Sequence, residues 1–258
     1  MLGAIAGDII GSTREVRNVK TTDFLLFPPR SRITDDSVMT IAVAEALLKQ
    51  GDYGKIMQHY GREYPDVGYG SAFKSWIKAE FPMPYNSWGN GSAMRVSPVG
   101  WSGATLEWVL EEAKASAEVS HNHPEGIKGA QSVAAAVFLA KTGASKSDIK
   151  QYVETQFGYD LNRTIDKIRP NYTFDVSCQG SVPESLIAFL ESTDFETAIR
   201  LAISIGGDSD TIASIAGGVA HAFYKKIPDI IASYTWALLP PPLEMVTWRF
   251  MEKYKIPY

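Results

Sequence analysis

Apolar residues between positions 212 and 223 recur at intervals of three and four, a spacing that predicts a helix with one buried face. The apolar positions are Ile212, Ile215, Ala216, Val219, Ala220 and Phe223. Gly217 and Gly218 lie within this helix, where the missing side chains let a neighbouring segment approach closely. A helix of this kind belongs in a protein core.

The same spacing returns along most of the chain. It is clear in four earlier segments, 38–49, 106–117, 130–138 and 149–153. It also predicts helices at 183–192, 195–205, 228–238 and 243–254. Alternation typical of a strand is confined to Phe174, Val176 and Cys178, where an extended loop explains it equally well. We therefore predict an all-α fold whose long Gly- and Pro-rich connections carry the binding residues.

Length, charge and cysteine content limit the possible classes of protein. With 258 residues, of which 45% are hydrophobic, the chain is expected to form one compact multi-helix domain over 1–258. Its net charge of −4 gives no general reason to bind nucleic acid or an acidic membrane surface, and no apolar run has membrane-spanning length. Cys178 is the only cysteine, which excludes an intramolecular disulfide and fits a reducing cytoplasm.

One cluster of carboxylate and hydroxyl side chains stands where the helix at 38–49 begins. It consists of Thr34, Asp35 and Asp36. Thr and Asp are also the residues that commonly cap a helix N-terminus, because they accept hydrogen bonds from free backbone N–H groups. Capping is therefore a sufficient explanation for this cluster when it is considered alone.

A second cluster repeats this chemistry before the helix at 212–223. Asp208, Asp210 and Thr211 exceed what one cap requires. Together the two clusters hold four carboxylates, which repel one another at a shared site unless cations lie between them. Hard ions such as Mg²⁺ or Mn²⁺ prefer such an all-oxygen set, whereas zinc usually recruits His or Cys. We predict a two-metal hydrolase site that brings both ends of the chain together.

Glu15 is a further acidic residue near the start of the chain. A surface pairing with Arg14 or Arg17 is its ordinary explanation. Beside a metal pair, however, the same carboxylate could orient or deprotonate the attacking water. Asp8 lies between Gly7 and Gly11, and these glycines suggest close backbone packing or a sharp turn.

Two segments in the middle of the chain are candidates for substrate binding. The Gly-bounded segment 90–95 has backbone N–H groups that could cradle a diphosphate, although a simple loop turn is equally compatible with its sequence. His121 and His123 are two positions apart and do not share a helical face, which argues against a zinc site. His121 is better explained as a hydrogen-bonding or helix-end residue.

Taken in order, these motifs resemble those of the ADP-ribosylglycohydrolases over nearly the whole chain. They are Gly7-Asp8-Ile9-Ile10-Gly11 followed by Glu15, Thr34-Asp35-Asp36, Gly89-Asn90-Gly91-Ser92-Ala93-Met94-Arg95, Ser120-His121 and Gly206-Gly207-Asp208-Ser209-Asp210-Thr211. The resemblance implies a compact all-α fold with two Mg²⁺ or Mn²⁺ ions at the floor of an ADP-ribose cleft.

The resemblance also implies roles for individual residues. The implied metal ligands are Thr34, Asp35, Asp36, Asp208, Asp210 and Thr211. The implied catalytic residues are Glu15, Asp35 and Asp66, the last similar to an acid that contacts the ribose. The implied substrate contacts are Asn90, Gly91, Ser92, Met94 and, on the ribose side, His121.

The expected activity is hydrolysis of the bond between ADP-ribose and an acceptor on a protein, a nucleic acid or a small molecule, with release of ADP-ribose. Two alternatives remain: a two-metal phosphoester hydrolase, which would produce AMP, and a catalytically silent module that binds ADP-ribose. The acceptor stays open among arginine, serine, a nucleobase, a terminal phosphate and an O-acyl group.

Overall fold

The computed structural model describes all residues 1–258, and fifteen helices account for its regular structure. The first eight are α1 (Leu2–Gly11), α2 (Asp35–Lys49), α3 (Tyr53–Glu63), α4 (Ser71–Lys78), α5 (Gly91–Met94), α6 (Ser97–Ser102), α7 (Leu106–Glu118) and α8 (Pro124–Lys141). The other seven are α9 (Lys146–Phe157), α10 (Ile165–Ile168), α11 (Cys178–Glu191), α12 (Phe195–Ser204), α13 (Ser209–Tyr224), α14 (Asp229–Ala237) and α15 (Pro241–Lys253).

The all-α prediction is confirmed. The structure has no sheet, and its one β-type pairing is an isolated antiparallel bridge between Gly89 and Ser177. Each helix that the apolar spacing predicts is present. The helix expected at 183–192 begins earlier, at Cys178, because the Ser177 side chain caps Gly180 N at 2.9 Å and Pro183 is accommodated inside the helix.

Three helices of eight or more residues were not predicted: α1, α3 and α4. In α1, Gly3, Gly7 and Gly11 lower the helix propensity. The remaining residues are all apolar except Asp8, so the segment has no polar face that would reveal a helical period. The α1 segment is helical because it is buried, since all ten of its residues are buried against the rest of the protein.

Helix α13 lies at the centre of the molecule, where it packs against α1, α8, α11 and α12. Its contact with α1 is a close backbone crossing. A Cβ added to Gly217 would lie 2.3 Å from Gly3 O, and one added to Gly7 would lie 2.1 Å from Ala213 O. The expectation that Gly217 permits a close approach is thus confirmed, and the neighbour is the first helix of the chain.

One continuous hydrophobic core joins both ends of the chain, from Met1, which precedes the first helix, to Ile256, which follows the last. The polar exceptions within this core matter for function because buried carboxylates are costly unless they are hydrogen-bonded or paired. Asp8, Asp36, Asp208 and Asp210 are all less than 10% exposed. No helix combines the length and apolar composition needed to cross a bilayer.

Candidate active site

The α1–α13 crossing places Asp8 near Asp210. Gly7 and Gly11 on α1 lie against the backbone of Ala213 and Asp210 on α13. Since no side chains separate the helices there, the carboxylate that follows Gly7 faces the start of α13 from close range, and one oxygen of each of Asp8, Asp36 and Asp210 lies within 4.8 Å of the others.

The first predicted cluster forms the N-terminus of α2. Thr34 is its N-cap, and the Thr34 hydroxyl accepts a hydrogen bond from Asp36 N at 3.3 Å. The same hydroxyl donates to Asp8 Oδ1 at 2.6 Å. Thr34 thus caps the helix and also joins α2 to α1, so the capping explanation is correct for Thr34 but incomplete.

Asp8 is the buried carboxylate whose importance the sequence analysis missed. Its two oxygens accept four hydrogen bonds, from the backbone N–H and the hydroxyl of both Thr34 and Ser37, with the Thr34 and Ser37 N–H groups at 2.9 and 3.1 Å. A lone carboxylate in a helix of otherwise apolar residues was the available signal, because a buried charge must find such partners.

The second cluster meets the first at the N-terminus of α13. Thr211 Oγ1 donates to Asp36 Oδ2 at 3.1 Å, although the two residues are 175 positions apart. Asp208 occupies the N-cap position but makes no side-chain capping bond, and it instead accepts a hydrogen bond from Asn90 Nδ2 at 2.8 Å. The structure therefore brings together the two clusters that the sequence predicted to share a site.

The concentration of negative charge changes the acidity of these groups. Burial, followed by repulsion from the neighbouring Asp8, raises the pKa of Asp35 to about 7. Burial, followed by repulsion from other carboxylates, holds the pKa values of Asp36 and Asp210 well above their usual range. Burial likewise raises the pKa of Asp208, although the Asn90 amide opposes this shift.

The arrangement fits hard divalent cations. Besides the group formed by Asp8, Asp36 and Asp210, the carboxylates of Glu15, Asp208 and Asp210 also place oxygens within 4.8 Å of one another. Asp36 Oδ1 is buried and has no hydrogen-bond partner. An orphaned carboxylate oxygen inside an all-oxygen cluster is a free ligand position of the type that Mg²⁺ or Mn²⁺ prefers.

A cavity of about 490 Å³ opens above these carboxylates. Its acidic lining residues are Glu15, Asp35, Asp36, Asp208 and Asp210. This volume is within the range of small-molecule binding sites. Partial burial, followed by repulsion from Asp208, raises the pKa of Glu15, while Arg32 lowers it. Glu15 is thus an acidic group at the margin between the cluster and solvent.

The predicted diphosphate segment reaches the cavity through only some of its residues. Asn90, Gly91 and Met94 line it. Ser92 does not, because its hydroxyl is fully buried and donates to Gly126 O at 2.7 Å. Short α5 therefore presents one side to the cavity and anchors the other side to the start of α8.

Asp66 lies apart from the other predicted residues. It is exposed and does not line the cavity, whereas the next two residues, Val67 and Gly68, do. The backbone holds this segment in place, since Asp35 N donates to Val67 O at 3.1 Å. A role for Asp66 would require the loop to turn its side chain inward, and that role stays a prediction.

His121 lines the cavity and is held by an arginine to which the sequence analysis gave no role. Arg95 is 1% exposed and has no carboxylate partner, and its Nη2 donates to Ser120 Oγ at 3.0 Å. Ser120 Oγ lies 2.8 Å from His121 Nδ1. Arginine can only donate, so Ser120 Oγ accepts from Arg95, and we assign the serine proton to the hydrogen bond with His121 Nδ1. Nε2 then carries the imidazole proton.

The acidity of His121 agrees with this arrangement. Burial, followed by repulsion from Arg95, holds the pKa of His121 well below its usual range. The ring is therefore neutral at physiological pH, with its Nε2–H group near the backbone of Gly91, where an added Cβ would lie 2.9 Å from Nε2. The site thus presents a fixed hydrogen-bond donor beside the predicted diphosphate segment.

Exposed apolar residues of the 172–177 loop complete the rim. Phe174 and Val176 line the cavity although they are 55% and 43% exposed. Phe73 and Tyr85, from an earlier part of the chain, also line it. Phe174 and Val176 of the alternating pattern therefore lie in a loop at the cavity rim, whereas Cys178 is the first residue of α11. An exposed aromatic at a cavity mouth suits a planar ring, because such rings stack on one another.

Comparisons with known proteins agree with the family resemblance. ADP-ribosylhydrolase ARH3 from Gallus gallus is 26% identical to this chain, with 99% of this chain and 90% of that protein covered. ADP-ribosylarginine hydrolase Tri1 from Pseudomonas putida (strain GB-1) is 26% identical, with coverage of 92% and 73%. A solved ADP-ribosylglycohydrolase-related protein complex has the same fold, with a TM-score of 0.70, 24% identity and coverage of 100% and 97%.

The family model described as ADP-ribosylglycohydrolase matches residues 1–237. This span includes every residue that lines the cavity and both acidic clusters. The chain belongs to the ADP-ribosylglycohydrolase family.

Proposed function

We propose that this protein hydrolyses the glycosidic bond between ADP-ribose and an acceptor, with release of free ADP-ribose, and that it depends on two divalent cations, Mg²⁺ or Mn²⁺. The observation that carries the proposal is the acidic floor of the cavity, where carboxylates from three distant segments meet and one oxygen of Asp36, Oδ1, has no hydrogen-bond partner. Family membership supplies the class of substrate.

The metal-binding residues would come from both clusters. Asp36 and Asp210 are central because each belongs to the group of oxygens that converge within 4.8 Å. Thr34, Asp35, Asp208 and Thr211 supply the surrounding oxygens. When bound, such cations would neutralise the cluster and provide Lewis-acid positions for ribose hydroxyls and a water molecule. Asp8 accepts four hydrogen bonds from Thr34 and Ser37 and thereby orients both residues at the start of α2.

Glu15 is positioned to work at the reacting bond. Its raised pKa brings it closer to the range in which a carboxylate accepts a proton from water at neutral pH. In the proposed reaction, Glu15 takes a proton from the attacking water, the water oxygen bonds to the anomeric carbon, and the acceptor leaves with the electron pair of the broken bond. The transition state resembles an oxocarbenium ion, as in other glycosyl transfers.

The remaining lining residues would position the substrate. The Gly91 backbone and the neutral Nε2–H donor of His121 face the region expected to hold the diphosphate and the adjoining ribose. Phe174 and Val176 offer an apolar surface to the adenine ring. Binding energy from these remote parts would hold the anomeric carbon over the acidic floor.

The test is a panel of ADP-ribosylated acceptors, assayed with Mg²⁺ or Mn²⁺ and with free ADP-ribose as the measured product. We expect turnover of at least one linkage and a loss of about 100-fold or more in Asp210→Asn, together with loss of bound metal. Asp166→Asn is the matched control, because this carboxylate is 88% exposed and pairs only with Arg169 on the surface. It should retain full activity.

Other products would contradict the proposal. Formation of AMP would indicate cleavage at the diphosphate and a phosphoester hydrolase. Tight binding of ADP-ribose with no turnover of any linkage would indicate a binding module. Full activity of Asp210→Asn after metal removal would exclude the proposed role of the acidic floor.

A further inference from the structure

A second concavity opens beside the central cavity. It has a volume of about 580 Å³ and is lined by residues of the segments 12–17 and 28–32. Glu15 and Arg32 line both concavities, so they stand where the two meet. We call the second one the arginine groove, because its charged lining consists of Glu15 and four arginines, Arg14, Arg17, Arg30 and Arg32.

The arginine groove has a net positive charge, because its lining holds four arginines against the single carboxylate of Glu15. The seven ion pairs of the structure involve none of its four arginines. Arg14 is held in place, since its Nη2 donates to Leu25 O at 3.0 Å and its guanidinium lies 5.2 Å from the Phe24 ring centroid, but its Nε is buried without a partner. In a chain of net charge −4, this local excess favours an anion.

The positively charged side chains of the groove indicate which anion it would bind. The lining contains four arginines and no lysine. Guanidinium groups present paired N–H donors that match the oxygens of phosphate and carboxylate, whereas an ammonium acts as a point charge. Several guanidinium groups around one small volume suit a compact, multiply charged group such as a phosphate.

The position of the groove indicates that it contacts the acceptor rather than ADP-ribose. If ADP-ribose occupies the central cavity with its anomeric carbon over the acidic floor and Glu15 beside the reacting bond, the acceptor extends out of the cavity at the margin where Glu15 and Arg32 stand. The arginine groove adjoins that margin. This step rests on the proposed function, because it takes the orientation of the substrate from it.

The chemistry of the groove also limits the leaving group. Apart from Glu15, whose task is the attacking water, the groove contains no Asp, Glu, His, Lys, Cys or Tyr that could donate a proton. An alcohol or a guanidine leaves poorly unless an acid protonates it. A phosphate leaves as an anion, and arginines stabilise that anion directly.

We propose that the acceptor in the arginine groove is phosphate, so that the preferred substrate carries ADP-ribose on a phosphate oxygen. The bond between the anomeric carbon and that oxygen breaks, and the phosphate leaves with the electron pair. The water oxygen bonds to the anomeric carbon and gives its proton to Glu15. The products are ADP-ribose and a phosphate anion.

The first test compares the kcat/KM values for three linkages. The substrates are a phosphate-linked one, supplied as ADP-ribose 1″-phosphate and as an oligonucleotide ADP-ribosylated on its terminal phosphate, an ADP-ribosylserine peptide and an ADP-ribosylarginine peptide. We expect the phosphate linkage to be favoured over the arginine linkage by at least about tenfold, since the arginine acceptor meets like charges. Comparing the two phosphate substrates shows whether the groove reads the phosphate alone or a nucleic acid strand.

The second test removes the groove charge with the triple variant R17Q/R30Q/R32Q. The preference for phosphate over arginine should fall by about tenfold or more, and the salt dependence of kcat/KM on the oligonucleotide should become shallower, by about one unit of slope per lost phosphate contact. R249Q is the matched control because Arg249 is exposed on α15, outside both concavities. It should change neither quantity.

The outcomes separate this inference from the proposed function. Equal rates on all linkages, a preference for arginine, or a preference unaffected by the triple variant would overturn the inference while leaving the hydrolase in place. An equally fast ADP-ribosylserine peptide rich in acidic residues would show that the groove reads carboxylates. If no linkage yields ADP-ribose, the proposed function fails. Fluorescence anisotropy then still decides whether the groove binds phosphate, by comparing the binding of a phosphorylated oligonucleotide to the wild type and to R17Q/R30Q/R32Q.

Discussion

At the scale of single residues, the site depends on buried polar groups, most of which have defined hydrogen-bond partners, whereas Asp36 Oδ1 has none. Asp8 shows such partners most clearly, because its four donors come from Thr34 and Ser37 at the start of another helix. Such a carboxylate is costly to bury and is retained only where its hydrogen bonds hold something in place. Here they hold the first turn of α2, which carries Asp35 and Asp36.

Some residues of the site could be predicted from the sequence, and others could not. The acid clusters were recognisable because two Asp and one Thr exceed the needs of a helix cap. Arg95 was not, because nothing local reveals that an arginine within a Gly- and Ser-rich segment is 1% exposed and turned towards Ser120. The contact between Arg95 and His121 through Ser120 depends on packing between distant segments, which apolar spacing does not encode.

The arrangement of Arg95, Ser120 and His121 predicts one tautomer. In protein labelled with ¹⁵N at histidine, we expect His121 to be neutral at pH 7 with its proton on Nε2, as read from the two-bond couplings in the ¹H–¹⁵N spectrum. Ser120→Ala removes the proton donor to Nδ1 and should mix the tautomers. It should also lower kcat/KM by about tenfold, the value of a single misdirected hydrogen bond.

The control for this measurement is His121→Gln, which identifies the His121 signal by its loss. Because His59, His123 and His221 remain, their unchanged signals would show that the fold is intact. A proton on Nδ1, or a doubly protonated ring at pH 7, would contradict the arrangement.

At the scale of helices, the crossing of α1 and α13 aligns the two halves of the site. The crossing was predicted from the α13 side alone, where Gly217 interrupts a clear apolar stripe. Its partner α1 was not predicted, because glycine at every fourth position lowers the helix propensity of this segment. The same glycines allow α1 to pack closely against α13 in the folded protein. Local propensity and tertiary packing conflict in this helix, and packing prevails.

Replacement of Gly7 by alanine should therefore damage both stability and function. The new Cβ would lie 2.1 Å from Ala213 O, so α1 must move away from α13. We expect a loss of about 1–3 kcal/mol in the free energy of unfolding, measured by urea denaturation. Metal affinity should fall as well, because Asp8 and Asp210 separate.

Gly70→Ala provides the comparison. Gly70 has ordinary extended dihedral angles, and a Cβ added there meets nothing within 4 Å. Its free energy of unfolding should stay within about 0.5 kcal/mol of the wild type. Equal stability of Gly7→Ala and Gly70→Ala would mean that the crossing tolerates a wider spacing than the structure shows.

At the scale of the whole molecule, the fold class followed from apolar spacing, but the arrangement of the helices did not. Periodicity identifies a buried face without identifying what covers it. The one long-range statement that the sequence supported was the meeting of the two acidic clusters, and the Thr211–Asp36 hydrogen bond confirms it. That statement came from electrostatics, because four carboxylates at one site need a shared counter-charge.

The acidic floor predicts how the stability of the metal-free protein depends on pH. The pKa of Asp35 is about 7 in the folded state and near 4 when unfolded, so the folded state binds more protons between these values. Stability from this group is fully present below about pH 4 and is lost as the pH rises through 7. We expect Tm after chelation to fall by roughly 5 °C or more between pH 5 and pH 8.

Divalent cations should reverse this loss. Because protons and cations compete for the same carboxylates, added Mg²⁺ or Mn²⁺ should raise Tm more at pH 8 than at pH 5. The gain at 100 times the dissociation constant is about 2.7 kcal/mol. The Asp210→Asn variant should show a smaller pH dependence and a smaller response to the cation. An identical cation response at both pH values would argue against binding by the raised-pKa carboxylates.

The placement of the two clusters, one before α2 and one before α13, has a consequence for biosynthesis. As the ribosome releases the chain, α1 and the start of α2 emerge long before α13 exists, so Gly7, Gly11 and Asp36 are synthesised before the residues of α13 that they contact. The central helix is among the last to be translated, and only then can the first helix pack. A product that stops before Asp208 would therefore contain only the first of the two acidic clusters.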